Sequence, residues 1–151
     1  MRILMFIPAL NAGGAERVMI TLSNYLAEGG HDVLIQTLNT SESFYKMSDK
    51  VKVLGMEYSF SRNPIIRKLQ IPKIEIKRKN AFICTVLDFR PDIILSFLFT
   101  TNVLALLASK KIKVPLVISE RNDPLAGSLM NRKICAWLYP KANLIVCQGN
   151  K

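Results

Sequence analysis

RILMFIPALNAGGAERVMITLSNYLAEGGHDVLIQTLN, residues 2–39, decides the fold. Arg2 to Ile7 is an apolar run ended by Pro8. Runs of this kind mark strands covered on both faces, as in a parallel sheet. A loop over Ala9 to Gly13 follows, and a helix starts near Gly14. Ala15, Val18, Met19, Leu22 and Leu26 recur at helical spacing and form one apolar stripe. Glu16 lies in the first turn, where the helix dipole favours a carboxylate. Gly29-Gly30 supplies the left-handed conformation that ends a helix. Asp32 to Leu38 is then a second strand.

The same alternation continues outward. Asn39 to Lys50 is polar and loop-like, and Val51 to Leu54 is a short third strand near an edge, because Lys52 must reach water. Pro64 and Pro72 break any single long helix, so the helix of this region is expected over Lys79 to Phe89. Ile93 to Phe97 is a fourth strand. A helix over Asn102 to Ser109 is expected to be capped by Thr101 or Asn102. Leu116 to Ser119 is a fifth strand, residues 127–139 a helix with Leu129, Ile134 and Leu138 inward, and Asn143 to Cys147 a sixth strand. Strands alternating with helices predict a Rossmann-like, doubly wound parallel sheet in three α/β/α layers with right-handed crossovers.

Composition bounds the function. The chain has 151 residues, half of them hydrophobic, with a mean hydropathy of +0.21. That length suits one domain over 1–151, and the composition excludes a disordered tail. The net charge of +10 favours polyanions: phosphates, nucleic acid or an anionic membrane face. Cys84, Cys135 and Cys147 form no C-x-x-C pair and His31 is the one histidine, so no metal site is expected and the thiols read as buried and reduced. Met1 to Leu10 reads as a strand rather than a leader peptide. The apolar stretch Ile93 to Ala108 is interrupted by polar residues and falls short of the ~20 residues of a membrane span.

Ligands of open parallel sheets bind beyond the carboxyl ends of the strands. Three loops meet that rule. Gly13-Gly14 precedes a helix whose free N–H groups suit an anion; a tight turn that binds nothing is the other reading. The loop matches neither G-x-G-x-x-G nor the P-loop, which disfavours dinucleotide dehydrogenases and P-loop ATPases. Thr101 and Asn102 either cap a helix or bind a hydroxylated ligand. Ser119-Glu120-Arg121-Asn122-Asp123-Pro124 gathers carboxylates, a guanidinium and an amide after a buried strand. Arg121 would bind phosphate or a sugar hydroxyl, and Glu120 would orient Arg121 or act as a base. The competing reading is a turn that caps the next helix.

Residues 62–79 carry seven basic side chains, Arg62, Arg67, Lys68, Lys73, Lys77, Arg78 and Lys79, against Glu75 alone. Isoleucines and Leu69 are interleaved with them. That mixture suits the headgroup layer of an anionic membrane; a solvated face is the ordinary alternative. Nucleic acid is disfavoured because the segment has no aromatic residue for base stacking.

Gly13-Gly14-Ala15-Glu16-Arg17-Val18, then Gly30-His31-Asp32-Val33, Arg90-Pro91-Asp92-Ile93-Ile94 and Ser119-Glu120-Arg121-Asn122-Asp123-Pro124 resemble family 4 retaining glycosyltransferases across essentially the whole chain. The last motif is similar to a subgroup that builds lipid-linked oligosaccharides and surface polysaccharides, including N-acetylgalactosaminyltransferase-like members. The resemblance implies the N-terminal, acceptor-side half of a GT-B fold, with the C-terminal nucleotide-sugar domain and its Glu-x7-Glu motif absent. It implies a nucleotide-sugar donor, a lipid-linked or glycan acceptor, no metal and no other cofactor. Gly13, Gly14, Arg17, Thr101, Asn102 and Asn122 would bind substrate, with Glu120 and Arg121 at the reaction centre. Many relatives carry a histidine where this chain has Arg121, so a histidine role does not transfer. The implied location is the inner face of the cytoplasmic membrane, held peripherally by residues 62–79. The alternative class is a non-catalytic module that binds a nucleotide or anionic lipid.

Overall fold

The side chains of Arg2–Ile7 (β1) alternate between two apolar cores, as a strand's period of two requires. Ile3, Met5 and Ile7 pack with Met19 and Ile20; Leu4 and Phe6 pack with Phe82 and Leu104 on the opposite face. This layering comes from a computed structural model that describes residues 1–40, 42–58, 63–120 and 128–147.

Around β1 are α1 (Gly14–Glu28), β2 (Asp32–Thr37), β3 (Val51–Gly55), α2 (Pro64–Phe89), β4 (Ile93–Phe97), α3 (Phe99–Ala108), β5 (Leu116–Glu120), α4 (Leu129–Leu138), a 3-10 turn (Tyr139–Lys141) and β6 (Leu144–Cys147). The sheet order is β3-β2-β1-β4-β5-β6 and every pairing is parallel. The order reverses beside β1, which makes the switch point of a doubly wound sheet. The expected fold class and the edge position of β3 hold.

In α1 the buried line is Met19, Ile20, Ser23 and Ala27, with Val18, Leu22 and Leu26 partly buried at its sides. The core-facing stripe is thus turned slightly from the one the sequence suggests. Gly30 takes φ 84°, the left-handed conformation expected after this helix.

The largest departure is α2, a single helix of 26 residues. Asn63 Oδ1 accepts from the N–H groups of Ile65 (2.9 Å) and Ile66 (3.4 Å), and Pro64 occupies the first turn, where its missing N–H costs nothing. Pro72 lies inside and does not end the helix. The reason is packing beyond it: Ile74, Arg78, Phe82, Ile83 and Val86 recur at helical spacing and are all buried. Phe82 stacks on Phe6 with ring centroids 4.5 Å apart.

Three smaller expectations also fail. α3 starts at Phe99 with Leu98 as its N-cap, so neither Thr101 nor Asn102 caps it. Leu129 is 74% exposed; only Leu138 of α4 is fully inward. The thiols are not buried: Cys84 and Cys147 are exposed and Cys135 is intermediate, and all three are free. Among the described residues no helix is long and apolar enough to cross a membrane.

Candidate active site

Parallel strands deliver all their following loops to one edge. β4 lies between β1 and β5, so the loops after these three strands rise side by side. Gly13-Gly14 and Glu120 therefore share one rim.

Gly13 is the N-cap of α1 in ordinary extended conformation. Its missing side chain has a local use. The Glu16 carboxylate folds back over it, and a Cβ at position 13 would collide with that group. A carboxylate at the third helical position beside the N-cap complements the positive end of the helix. The Gly13 carbonyl accepts from Tyr45 Oη at 3.2 Å and from the Arg17 N–H at 3.0 Å. The Phe44 N–H donates to the Leu10 carbonyl at 2.9 Å, so the segment after β2 straps the loop down. Gly14 is different: among the described residues, nothing lies within 4 Å of where a Cβ would be. Arg17 is exposed on the following turn.

The loop after β4 is strained. Leu98 has φ 73° and ψ 151°, a region that favours glycine. Hydrogen bonds hold it there: its N–H donates to the Ser119 carbonyl (3.1 Å), and its carbonyl accepts from the Asn102 N–H (3.0 Å) and the Thr101 hydroxyl (3.2 Å). Thr101 is fully buried and its hydroxyl donates back to the Phe97 carbonyl. It is a helix-internal group, which corrects its expected place among ligand-facing residues. Asn102 is also fully buried; its Nδ2 donates to the Ser119 carbonyl at 3.1 Å, and among the described residues its Oδ1 has no partner. Asn102 is a latch between β5 and α3 rather than an open cleft wall.

Glu120 ends β5, partly exposed, and accepts a hydrogen bond from the Tyr139 hydroxyl. Burial, then the bond to Glu120, pushes the Tyr139 phenol far above the usual tyrosine range. Arg121 and Asn122 lie outside the described residues, as does Arg62.

Sequence reasoning missed Tyr139, which is 19 positions from Glu120 and reaches it only through the fold. It also missed an open cleft of about 290 Å³ farther along the rim, lined by Thr37, Thr40, Glu42, Val53 and Gly55. These come from separate segments that look like ordinary strand ends and loop. Among the described residues no three His, Cys, Asp or Glu side chains gather where a metal could bind.

On α2, Arg67, Lys68, Lys73 and Lys77 are exposed and Lys79 is half-buried. Ile65, Leu69 and Ile76 are exposed among them, at 72%, 70% and 56%. Arg78 departs from the expectation: it is 7% exposed, and its Nη1 donates to Glu75 Oε1 at 2.9 Å. It is turned into the protein and offers no charge to a surface partner.

The Glycosyltransferase Family 4 model matches residues 12–151. A Campylobacter jejuni GalNAc-alpha-(1->4)-GalNAc-alpha-(1->3)-diNAcBac-PP-undecaprenol alpha-1,4-N-acetyl-D-galactosaminyltransferase is 36% identical over 123 residues, covering 82% of this chain and 33% of that protein. A second enzyme of that organism, an N-acetylgalactosamine-N,N'-diacetylbacillosaminyl-diphospho-undecaprenol 4-alpha-N-acetylgalactosaminyltransferase, is 32% identical over 149 residues, covering 93% of this chain and 39% of its own. The chain thus spans between a third and two-fifths of these relatives. Among solved structures, MurG of Acinetobacter baumannii superposes with a TM-score of 0.70 at 18% identity, over 99% of this chain and 42% of MurG. That likeness concerns the fold alone. On the family match and the two Campylobacter relatives, the chain belongs to glycosyltransferase family 4.

Proposed function

We propose that this chain is the acceptor-side domain of a two-domain GT-B glycosyltransferase. The parent enzyme moves a sugar from a nucleotide-sugar donor to a hydroxyl of a lipid-linked or surface-glycan acceptor, retaining anomeric configuration. The observation that carries this reading is the pair of relatives, both named for transfer of N-acetylgalactosamine to a saccharide on diphospho-undecaprenol. Family membership and those names favour it over a non-catalytic binding module. A second domain fits their greater length, and it fits β6, where Leu144, Ile145 and Val146 are 57%, 40% and 42% exposed. An edge strand so apolar calls for a cover.

The rim supplies the chemistry. Glu120 accepts a hydrogen bond from the acceptor hydroxyl, and Arg121 and Asn122, just beyond it in sequence, bind sugar or phosphate oxygens. The open side of Gly14 and the first N–H groups of α1 receive a phosphate. The Glu16 carboxylate already neutralises that helix end, so a phosphate must displace it, and Arg17 one residue on provides compensating charge. Helix ends and basic side chains stabilise the leaving diphosphate without a metal.

The first half of α2 is the membrane face. Its exposed Ile65, Leu69 and Ile76 enter the headgroup layer while Arg67, Lys68, Lys73 and Lys77 meet anionic lipid. A peripheral position at the cytoplasmic face would bring a polyprenyl diphosphate acceptor to the rim.

The test is transfer by the full-length parent supplied with nucleotide sugars and lipid-linked oligosaccharide acceptors. Product retaining the donor's anomeric configuration, and its loss in Glu120→Ala or Arg121→Ala, is expected. No transfer to any such acceptor overturns the reading. Co-sedimentation with phosphatidylglycerol vesicles tests the membrane face: reversing Arg67, Lys68, Lys73 and Lys77 to Glu should abolish binding, and unchanged binding would remove α2 from the account.

A further inference from the structure

Tyr139 joins three elements at the rim without belonging to any motif in the sequence. It opens the 3-10 turn after α4 and lies beside Asn102 of α3 and Glu120 of β5. Its hydroxyl donates to Glu120 Oε2. The carbonyl just before Glu120, that of Ser119, is held from two sides, by Asn102 Nδ2 at 3.1 Å and by the strained Leu98 N–H at 3.1 Å. Backbone and side chain at the end of β5 are therefore both fixed. The turn has its own anchors in the buried Leu138 and in the Ala142 N–H bonded to the Tyr139 carbonyl at 3.0 Å. The phenol hydroxyl is thus additional to what the turn requires. Burial and the neighbouring carboxylate keep it protonated, with Asn102 opposing weakly, so it stays a donor throughout the working pH range.

A carboxylate with a permanent donor on one oxygen loses rotational freedom, and its direction is set before substrate arrives. We infer that Tyr139 is a positioning residue for sugar transfer, donating to Glu120 and aiming that carboxylate at the acceptor hydroxyl. The inference rests on the acceptor-side reading above.

A double-mutant cycle on the full-length parent, with nucleotide sugar and lipid-linked acceptor, tests it. Tyr139→Phe keeps the ring and removes the donor. A hydrogen bond to a charged group predicts a fall in kcat of about ten- to a hundred-fold, with the acceptor KM within about three-fold. In a Glu120→Gln background the same change should alter kcat less than about two-fold, because the group through which Tyr139 acts is already gone. A packing role alone would give the same loss in both backgrounds and would overturn the inference. If Tyr139→Phe melts the domain, Glu120→Asp substitutes for it: the shortened carboxylate leaves the phenol and should lower kcat at similar KM. Full kcat in that variant also overturns it. An active parent whose Tyr139→Phe variant retains kcat refutes only Tyr139's role. A parent that transfers nothing refutes the acceptor-side reading, and this inference falls with it.

Discussion

Phe82→Ala measures whether α2 is one helix with two environments. Phe82 is fully buried and stacks on Phe6, also fully buried, at 4.5 Å between centroids and 19° between planes. Truncation to Ala removes the ring from the face where Leu4, Ile94 and Leu104 meet. Lost burial plus a residual cavity puts the cost at about 3–5 kcal/mol. Domains of this size have total stabilities of about 5–15 kcal/mol, so the loss should be large but measurable. Leu69, 13 positions earlier in the same helix, is 70% exposed, and Leu69→Ala should change stability by less than about 0.5 kcal/mol. Equilibrium urea unfolding followed by circular dichroism gives both numbers, with similar slopes expected. If Phe82→Ala is too unstable, Phe82→Leu should cost about 1–1.5 kcal/mol. A cost below about 1 kcal/mol for Phe82→Ala, or equal costs at positions 69 and 82, would refute the packing described for α2.

Other substitutions probe the helix and the rim. Pro72→Ala restores a donor within α2 and removes a ring clash, and should stabilise by up to about 3 kcal/mol in thermal melts, provided the helix runs through residue 72. Gly14→Ala meets open space and should leave stability unchanged or raise it by up to about 1 kcal/mol, yet, on the proposed function, lower the affinity of the full-length parent for the phosphate-bearing substrate proposed above; unchanged affinity would remove Gly14 from the site. At Leu98, glycine relieves backbone strain of about 1–3 kcal/mol whereas alanine does not. Leu98→Gly should therefore unfold at higher urea than Leu98→Ala, the reverse of the order at an unstrained position.

The sheet was legible because its signal is local. Each central strand is a short apolar run, and strand-helix alternation leaves few topologies. The failures share one cause, which is long-range packing. Pro72 looked like a helix terminator, and only the burial of Ile74, Phe82 and Val86 against the sheet carries the helix past it. Thr101 and Asn102 looked like caps because such residues prefer that position, but Leu98 takes it, bonded across to Ser119. Arg78 belongs by sequence to the basic run expected to contact a membrane, yet it is one helical turn from Ile74 and shares its buried side. The candidate rim was half legible: strand ends identify Gly13-Gly14 and Glu120, whereas Tyr139 and Tyr45 enter only in three dimensions.

Those two tyrosines show how the rim is organised. Each donates its hydroxyl to a loop that the strand order brings to the sheet edge, Tyr45 to the Gly13 carbonyl and Tyr139 to the Glu120 carboxylate. Tyr45 comes from the segment between β2 and β3, and Tyr139 from the turn before β6. The rim loops are thus fixed from both flanks, while Leu98 and Asn102 join β4, α3 and β5 between them. Backbone strain at Leu98 and, among the described residues, an unpartnered acceptor at Asn102 are both tolerated at the rim, each unfavourable by roughly 1–3 kcal/mol. A fold that maximised stability would keep neither. On the proposed function, their position at the sheet's switch-point edge suits a preformed binding rim, because loops that rearranged on each encounter would spend binding energy on ordering themselves.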